Sequence, residues 1–189
     1  IFRTSNQGQT WSDVTPEISN SQNQYDNIAV VSDGNIFIED NHEIWVSKDL
    51  GETWIKTDLL LNNYNFPPAK HGNGKTYFSN TDGLFYSETG VNWNEIPNNF
   101  LIFNVPYISD RDKIYFSGFN LDEPNLGFQL WVSDETGENF TPLPFLPGNT
   151  ILRPKILSDC DENLILLSGS GIFLSLDLGN SWINLGFGL

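Results

Sequence analysis

The amino-acid sequence predicts an all-β chain built from repeated four-stranded antiparallel sheets. Three observations support this: a glycine-centred motif that recurs five times, short apolar runs bounded by turn residues between the recurrences, and no segment with a useful helical period. The motif glycines are Gly8, Gly51, Gly90, Gly137 and Gly179, so the intervals are 43, 39, 47 and 42 residues. A period of this length indicates a repeat architecture.

The motif has a local physical logic. Its fullest forms, Ser47–Trp54 and Ser175–Trp182, read Ser-x-Asp-x-Gly-x-Thr/Ser-Trp. The glycine supplies the positive φ of a tight hairpin, and the acidic or amide side chain can accept hydrogen bonds from backbone amides of its own turn. That third position holds Asn6, Asp49, Glu135 and Asp177, with Glu88 or Thr89 in the shorter third copy. The last position holds Trp11, Trp54, Trp93, Phe140 and Trp182, whose rings we expect to be buried between neighbouring sheets.

Four short β-runs return in the same order between motifs, and we label them A to D. In the second unit they are Asn27–Ser32, Ile36–Ile38, Ile44–Ser47 and Thr53–Lys56, with the motif turn between C and D. The later B strands are predicted at Thr76–Phe78, Ile114–Phe116 and Leu164–Leu167, and the later C strands at Leu84–Tyr86, Leu130–Val132 and Ile172–Leu174. These runs are apolar on both faces, which is typical of a sheet covered on both sides.

Such sheets, repeating every forty-odd residues, are typical of the blades of a β-propeller. The chain is predicted to hold about four and a half blades: a half blade at 1–15 and blades at about 16–58, 59–97, 98–144 and 145–189. We expect upstream residues or a partner chain to supply strands A and B of the half blade. The A–B turns and the motif turns should lie on one face of the propeller, which we call the turn face. The B–C and D–A loops should form the opposite face, which we call the loop face.

The composition and net charge of the chain argue against several classes of function. The 189 residues are 39% hydrophobic, which is enough to bury a core, and carry a formal charge of −15 from 24 acids against nine bases. Nucleic-acid binding needs a basic footprint and is not expected, and an anionic membrane surface is disfavoured for the same reason. No run of 18 apolar residues occurs, so membrane insertion is not predicted. Cys160 is the only cysteine, so an internal disulfide is impossible.

The motif resembles the Asp-box, or BNR repeat, of sialidases, the sortilin ectodomain, xyloglucan-cleaving glycosidases and photosystem II assembly factors. The resemblance covers the whole chain, with departures at Asn6, in the short third copy, and at Glu135 and Phe140. It implies a propeller in which the box residues are structural and lie on the face away from the ligand. It also implies a bacterial protein that is secreted, periplasmic or exposed at the cell surface.

A sialidase-like site is not expected in this chain alone. Resemblance to that family implies three arginines that converge on a carboxylate, because the planar guanidinium binds a carboxylate through two parallel hydrogen bonds. The chain has only Arg3, Arg111 and Arg153. The first two are expected on the turn face and Arg153 on the loop face, so the three should not meet.

A hydrolase that uses a carboxylate pair stays open. Such enzymes need two acids roughly 5–10 Å apart. Asp40, Asp82, Asp122 and Glu123 are predicted in B–C loops, where solvated loop acids are the simpler interpretation. The predicted ligand face consists of Asp40, His42, Tyr64, Phe66, Asp82, Phe119, Asp122, Glu123 and Arg153.

These observations favour a non-enzymatic binding or scaffolding module that recognises a protein or a glycan. The alternatives are a glycoside hydrolase, sialidase-like or xyloglucanase-like, with catalytic residues partly outside this segment, and an assembly factor that binds a partner protein. No catalytic residue, metal site or cofactor is predicted. Asp110-x-Asp112 and Asp159-x-Asp161 could suggest calcium, but both fall in A–B turns, where turn formation explains them.

Overall fold

The computed structural model describes residues 1–17, 27–40, 43–60, 67–80, 83–97, 100–103, 106–134, 136–144 and 154–186. Within these ranges the chain consists of β-strands and turns, with one 3-10 helix at Pro124–Leu126. No helix in the described ranges is long and apolar enough to cross a membrane. The predicted all-β class is therefore confirmed.

The described residues contain nineteen strands, which form one hairpin and four larger sheets. The first hairpin is β1 (Phe2–Arg3) and β2 (Ser12–Asp13). Sheet one is β3 (Asn27–Val30), β4 (Ile36–Asp40), β5 (Glu43–Ser47) and β6 (Ile55–Leu60). Sheet two is β7 (Ala69–Lys70), β8 (Thr76–Asn80), β9 (Gly83–Ser87) and β10 (Asn94–Glu95). Sheet three is β11 (Phe100–Ile102), β12 (Tyr107–Ile108), β13 (Ile114–Asn120), β14 (Phe128–Ser133) and β15 (Phe140–Pro142). Sheet four is β16 (Lys155–Ser158), β17 (Leu164–Ser168), β18 (Gly171–Ser175) and β19 (Ile183–Asn184).

Every pairing is antiparallel, and in sheets one, two and four the strands lie in chain order, as predicted. Sheet three departs from the prediction because its A strand is split: β11 and β12 both pair with β13, at different ends. The B strands also run further than predicted. Strand β4 continues past Ile38 to Asp40, because Glu39 and Asp40 still have partners on β5.

Three hydrophobic cores lie between consecutive sheets. Phe37, Ile44 and Val46 of sheet one pack with Phe78 of sheet two. Tyr77 and Leu84 of sheet two pack with Phe100, Phe116 and Trp131 of sheet three. The third core joins Tyr115, Leu130 and Leu143 of sheet three to Ile156, Leu164, Leu166 and Phe173 of sheet four. Sheets two and three are thus covered on both faces. This explains why their strands do not alternate between apolar and polar residues.

The motif turns are closed by a repeated set of hydrogen bonds. Asp49 Oδ1 accepts from the Thr53 amide at 2.8 Å, and Asp49 Oδ2 accepts from Thr53 Oγ1 at 2.6 Å. The Gly51 amide donates to Ser47 Oγ at 2.7 Å. Ser175, Asp177, Gly179 and Ser181 make the same contacts in the fifth motif. The first motif reproduces them with an amide, since Asn6 Oδ1 accepts from the Thr10 amide at 2.9 Å.

In the fourth motif, Asp134 accepts the hydrogen bonds that the structure describes. Glu135 lies outside the described residues, and Asp134 accepts the hydrogen bonds of this turn, from the Thr136 amide at 3.0 Å and from Asn139 Nδ2 at 2.6 Å. In the short third motif, Thr89 occupies this place and its Oγ1 accepts from the Asn92 amide at 3.3 Å. One spacing in sequence therefore corresponds to several side-chain solutions of the same turn.

The aromatic residues of the second to fifth motifs are half-buried against the preceding sheet or hairpin. Trp93, for example, meets Phe37 edge to face at 6.2 Å between ring centroids, and Trp54 Nε1 donates to the Val14 carbonyl at 2.9 Å. Trp11 is the exception, because its side chain is 61% exposed. The expectation that this ring is buried is wrong, whereas the other four rings contact the sheet or hairpin before them.

Polar contacts join consecutive A–B turns along the turn face. Lys70 of sheet two pairs with Asp33 of sheet one at 2.9 Å. The Gly72 amide donates to Asp112 Oδ1 of sheet three at 2.7 Å. Sheet four adds buried Glu162, which lies 3.4 Å from both Arg111 and Lys113 of sheet three. Side chains of this face therefore hold neighbouring sheets to one another.

The motif carboxylates give the fold a predictable acid response. The Thr53 hydroxyl and amide lower the pKa of Asp49 from 3.8 to about 2, so its ionised form stabilises the fold fully above about pH 4 and this contribution is lost as the pH falls toward 2. Asp49→Asn should lower the free energy of unfolding at pH 7, and the gap to the unmodified chain should narrow between about pH 4 and pH 2.

Urea titrations at stepped pH measure this gap. Asp177→Asn is a matched replicate, because the hydroxyl and amide of Ser181 lower the pKa of Asp177 in the same geometry. A gap that stays constant or widens toward pH 2 would contradict the role given to the ionised carboxylates.

Candidate functional site

Of the nine residues predicted for the loop face, four lie within the described ranges. Asp122 and Glu123 lie in the β13–β14 loop, as predicted. Asp40 and Phe119 were expected in loops but belong to strands β4 and β13, because both strands continue further than their apolar runs. The other five predicted residues lie outside the described residues: His42, Tyr64, Phe66, Asp82 and Arg153.

Sheet three carries the longest hairpin toward the loop face. Strand β13 has seven residues, whereas β4, β8 and β17 have five each. The extra length is held by β11, whose Phe100 and Ile102 are paired with Asn120 and Gly118. This approach requires a glycine, since a Cβ at Gly118 would lie 2.2 Å from the Leu101 carbonyl oxygen. The hairpin is therefore built to project and is fixed at its base.

Three phenylalanines form a cluster on this projecting hairpin. Phe119 and Phe128 are paired across β13 and β14, and their ring centroids are 5.5 Å apart at 74°. Phe103 completes the cluster at 5.8 Å from Phe119 and 6.1 Å from Phe128. All three are half-buried. The sequence analysis missed Phe103, because no motif or turn signal marks the segment between β11 and β12.

The 120–127 loop is closed by its own hydrogen bonds above this cluster. Asn120 accepts from the Asp122 amide through Oδ1 at 2.9 Å and from the Glu123 amide through its carbonyl at 3.2 Å. Gly127, at φ +66°, ends the 3-10 helix and donates to the Pro124 carbonyl. The loop therefore has a defined shape. It leaves Leu121 and Leu126 exposed by 52% and 40%, beside the exposed Asp122 and Glu123.

Strand β4 ends at the loop face with two buried acids. Glu39 and Asp40 are both buried, and Glu39 Oε2 accepts from Asn27 Nδ2 at 2.8 Å. Successive residues of a strand point to opposite faces, so these two carboxylates do not converge on one bond. Glu39, which the sequence analysis did not single out, borders a cavity of about 80 Å³ together with Phe37, Ile44, Pro67, Pro68 and Phe78.

The described arginines are engaged on the turn face. Arg3 donates to the Leu50 carbonyl at 2.7 Å and pairs with Glu52 at 2.8 Å, and Arg111 pairs with Glu162. Beside Arg3, a groove of about 570 Å³ separates the first hairpin from sheet one and is lined by Trp45 and Trp54. In the part of the chain that the structure describes, no cluster of three or more His, Cys, Asp or Glu side chains could hold a metal.

Comparison with known proteins defines the fold. No protein-family model and no curated protein sequence matches this chain. Among solved structures, it is similar to a GH74 enzyme of Niastella koreensis, with a TM-score of 0.69 and 19% identity over 98% of this chain. It is also similar to YCF48 bound to a D1 peptide, with a TM-score of 0.61 and 16% identity over 97% of this chain. The extracellular domain of BT4673 from B. thetaiotaomicron matches with a TM-score of 0.64 and 12% identity over 92% of this chain.

These neighbours are β-propeller proteins, and the repeated antiparallel sheets described above have the same architecture. The chain is therefore an all-β propeller protein. It spans 28% of the GH74 enzyme, 60% of YCF48 and 24% of the extracellular domain. The structural similarity shows the fold, and identities below 20% do not transfer an activity to this chain.

The projecting hairpin depends on the absence of a side chain at Gly118. We expect Gly118→Ala to lower the free energy of unfolding by roughly 3 kcal/mol, because a carbonyl oxygen of β11 occupies the space of the new methyl group. Near-ultraviolet circular dichroism should also show a loss of signal as Phe103 separates from Phe119 and Phe128.

Gly127→Ala is the matched control on the same hairpin. A Cβ there meets no atom within 4 Å, so only the positive φ penalises it, by roughly 1–2 kcal/mol. Equal losses for the two variants would contradict the close β11 contact.

Proposed function

We propose that this chain is a non-enzymatic binding module that recognises a segment of a partner protein through its loop face. The observation that carries the proposal is the projecting hairpin of sheet three. It presents exposed Leu121 and Leu126, beside exposed Asp122 and Glu123, on a loop that is already folded. A preformed loop loses little conformational freedom on binding, which favours affinity.

The packing of the aromatic cluster favours a polypeptide over a glycan. Sugars are usually bound on the open flat face of an aromatic ring, whereas Phe119 and Phe128 meet edge to face and Phe103 packs against both. The exposed side chains of the loop are aliphatic or acidic, namely Leu121, Asp122, Glu123 and Leu126. Such a surface is complementary to apolar and basic side chains of a protein segment.

The charge of the chain supports a basic partner. A net charge of −15 attracts cations over a distance set by ionic strength and accelerates their encounter with the surface. Binding through the loop face should therefore weaken as salt is added, while the contacts of Leu121 and Leu126 should be less sensitive to it.

We also propose that the recurring motif is the Asp-box of secreted and cell-surface propellers. The repeated hydrogen bonds of Asp49 and Asp177 to the fourth residue after each of them support this assignment. A location outside the cytoplasm, secreted, periplasmic or at the cell surface, agrees with the extracellular origin of the BT4673 domain. One cysteine in 189 residues is compatible with it, since no disulfide is needed.

A glycoside hydrolase is the second candidate, and the buried acids at the end of β4 favour it. Burial raises the strength of any interaction that Glu39 or Asp40 makes with a bound substrate. Both would need a second carboxylate from another loop of the same face. Under this alternative, Asp82, Asp122 and Glu123 are the acids to test.

Binding to defined peptides and glycans tests the proposal. An array should contain basic–apolar peptides, the same peptides with Lys and Arg replaced by Glu, and neutral and sialylated glycans. We expect binding to the basic–apolar peptides only. The double variant Leu121→Asp/Leu126→Asp should lose it by at least about tenfold, because charge replaces the apolar contacts of the loop.

Leu50→Asp is the control, because Leu50 is also exposed but lies in a motif turn on the turn face. Binding restricted to glycans would overturn the choice of a protein ligand. Turnover of xyloglucan or a sialoside that is abolished by Asp40→Asn or Glu123→Gln would overturn the non-enzymatic assignment.

A further inference from the structure

A groove of about 580 Å³ separates sheets three and four near the turn face, and we call it the sheet-three groove. Its floor is a row of side chains on paired strands, in which Tyr115 lies opposite Val132 and Val132 lies opposite Thr141. Leu143 and Leu178 add apolar side chains to its lining. Both sheets have strands in all four blade positions, so the groove is an internal feature of the stack.

The motif hairpins that cover sheets two and three dock at different places. Gly137 of the fourth motif lies against Tyr77, the second residue of β8, where an ideal Cβ would be 2.6 Å from Tyr77 Oη. The second residue of β13 is Tyr115, but Gly179 of the fifth motif lies against Leu143, just after β15. Docking on the outer strand leaves space beside Tyr115, and the groove occupies that space.

In the interface between sheets two and three, the equivalent positions hold a tyrosine ring and an ion pair. Tyr86 is paired with Tyr77, and Lys75 Nζ lies 4.4 Å from the centroid of the Tyr86 ring. Lys75 also pairs with Glu138 of the fourth motif at 2.8 Å. The Tyr77 hydroxyl accepts from Asn73 Nδ2 at 3.1 Å. A ring, a carboxylate and an amide therefore surround the lysine and the tyrosine of this sheet.

Sheet three keeps the lysine and the tyrosine, but their three partners are replaced. Lys113 precedes Tyr115 by two positions, at the spacing found in sheet two. The replacements are Val132 for Tyr86, Asn180 for Glu138 and Arg111 for Asn73. A smaller apolar side chain thus stands where sheet two has a ring, and a neutral amide stands where the fourth motif has a carboxylate.

Lys113 and Tyr115 offer hydrogen-bond donors to an anion in the groove. Lys113 Nζ and Arg111 Nη1 both lie 3.4 Å from Glu162 Oε2, so two cations share one carboxylate. Burial, and then the charge of Glu162, raises the pKa of Tyr115, so its hydroxyl keeps its proton. Among the described residues, none is hydrogen-bonded to that hydroxyl. Both groups are therefore available to a ligand.

The acid that lines the groove is engaged in its own turn. Asp134 Oδ1 accepts from Thr136 Oγ1 at 2.5 Å, and Asp134 Oδ2 accepts from Asn139 Nδ2 at 2.6 Å. These two donors lower the pKa of Asp134 to about 2. Because its oxygens already have donors, Asp134 is directed away from the position where an anion would meet Lys113.

We propose that the sheet-three groove binds a small aromatic carboxylate. The carboxylate pairs with Lys113 and accepts from the Tyr115 hydroxyl, in charge-assisted hydrogen bonds. The ring lies against Val132, Leu143 and Leu178 and is removed from water there. The ligand thus restores the ring and the carboxylate that the preceding interface supplies from its own side chains. This site is separate from the loop face, so it stands or falls independently of the peptide ligand proposed there.

Binding of four probes to the full chain tests the chemistry of the ligand. The probes are phenylacetate, benzoate, benzyl alcohol as a ring without a carboxylate, and acetate as a carboxylate without a ring. We expect phenylacetate or benzoate to bind with a Kd of about 1 mM or lower and to shift the amide resonances of Val132 and Leu178. Benzyl alcohol and acetate should bind at least about tenfold more weakly. Failure of both aromatic carboxylates to bind, or equal binding of benzyl alcohol, overturns the proposal.

Two variants that copy the preceding interface test the position of the ligand. Val132→Tyr places a ring in the groove, and Asn180→Glu supplies a carboxylate to Lys113. Each should weaken binding of the tighter aromatic carboxylate by at least about tenfold, because the new side chain takes the place of the ligand. Asn180 is exposed, so its variant should fold normally and gives a result whether or not the larger ring is tolerated at Val132.

Lys113→Gln and its matched control Lys75→Gln complete the test. Lys113→Gln should weaken binding by about tenfold or more, because the charged donor is lost. Lys75→Gln removes the equivalent lysine and its ion pair in sheet two but leaves the groove unchanged, so binding should equal that of the unmodified chain. Binding that persists in Val132→Tyr and Asn180→Glu, or that falls equally in the two lysine variants, places the ligand elsewhere and overturns the proposal.

Discussion

The contact between a motif glycine and the preceding sheet is the constraint on which the rest of this structure depends. Gly51, Gly90, Gly137 and Gly179 have positive φ values between 72° and 93°, so each closes its hairpin in a conformation that favours glycine. The same residues lie against the neighbouring sheet with little or no room for a Cβ. One residue type therefore satisfies the turn and sets the distance between sheets. The aromatic residue that follows can then reach the hydrophobic core.

The two faces of the molecule differ in their part in this stacking. On the turn face, the motif turns and A–B turns are engaged in contacts between sheets, including Lys70 with Asp33 and Gly72 with Asp112. Substitutions there act on the stacking of sheets. On the loop face, the described hairpins differ in length: strands β13 and β14 of sheet three have seven and six residues, whereas the corresponding strands of the other three sheets have five. A binding surface can be built there without disturbing the stack.

Much of the fold could be predicted from the sequence, because the glycine spacing and the apolar runs are local signals. Less of the candidate site could be. Asp40 and Phe119 were assigned to loops because strand length on the loop face depends on pairing with neighbouring strands, as the contact of Gly118 with β11 shows. Phe103 joins its cluster through the packing of its ring and a backbone hydrogen bond to the Ser117 carbonyl, and no local sequence signal marks either contact. The motif aromatic residues at 54, 93, 140 and 182 pack on the sheet or hairpin before them, and the repeat period alone does not indicate on which side a ring packs.

A double-mutant cycle between Gly137 and Tyr77 tests the central contact most directly. A Cβ at Gly137 would lie 2.6 Å from Tyr77 Oη, so Tyr77→Phe should relieve part of the cost of Gly137→Ala. Free energies of unfolding from urea titrations give the coupling, with Gly74→Ala as the control, because its φ is also positive and its Cβ would meet no atom. We predict a favourable coupling of about 1 kcal/mol between positions 137 and 77 and none between 74 and 77. Strictly additive losses at 137 and 77 would contradict the account.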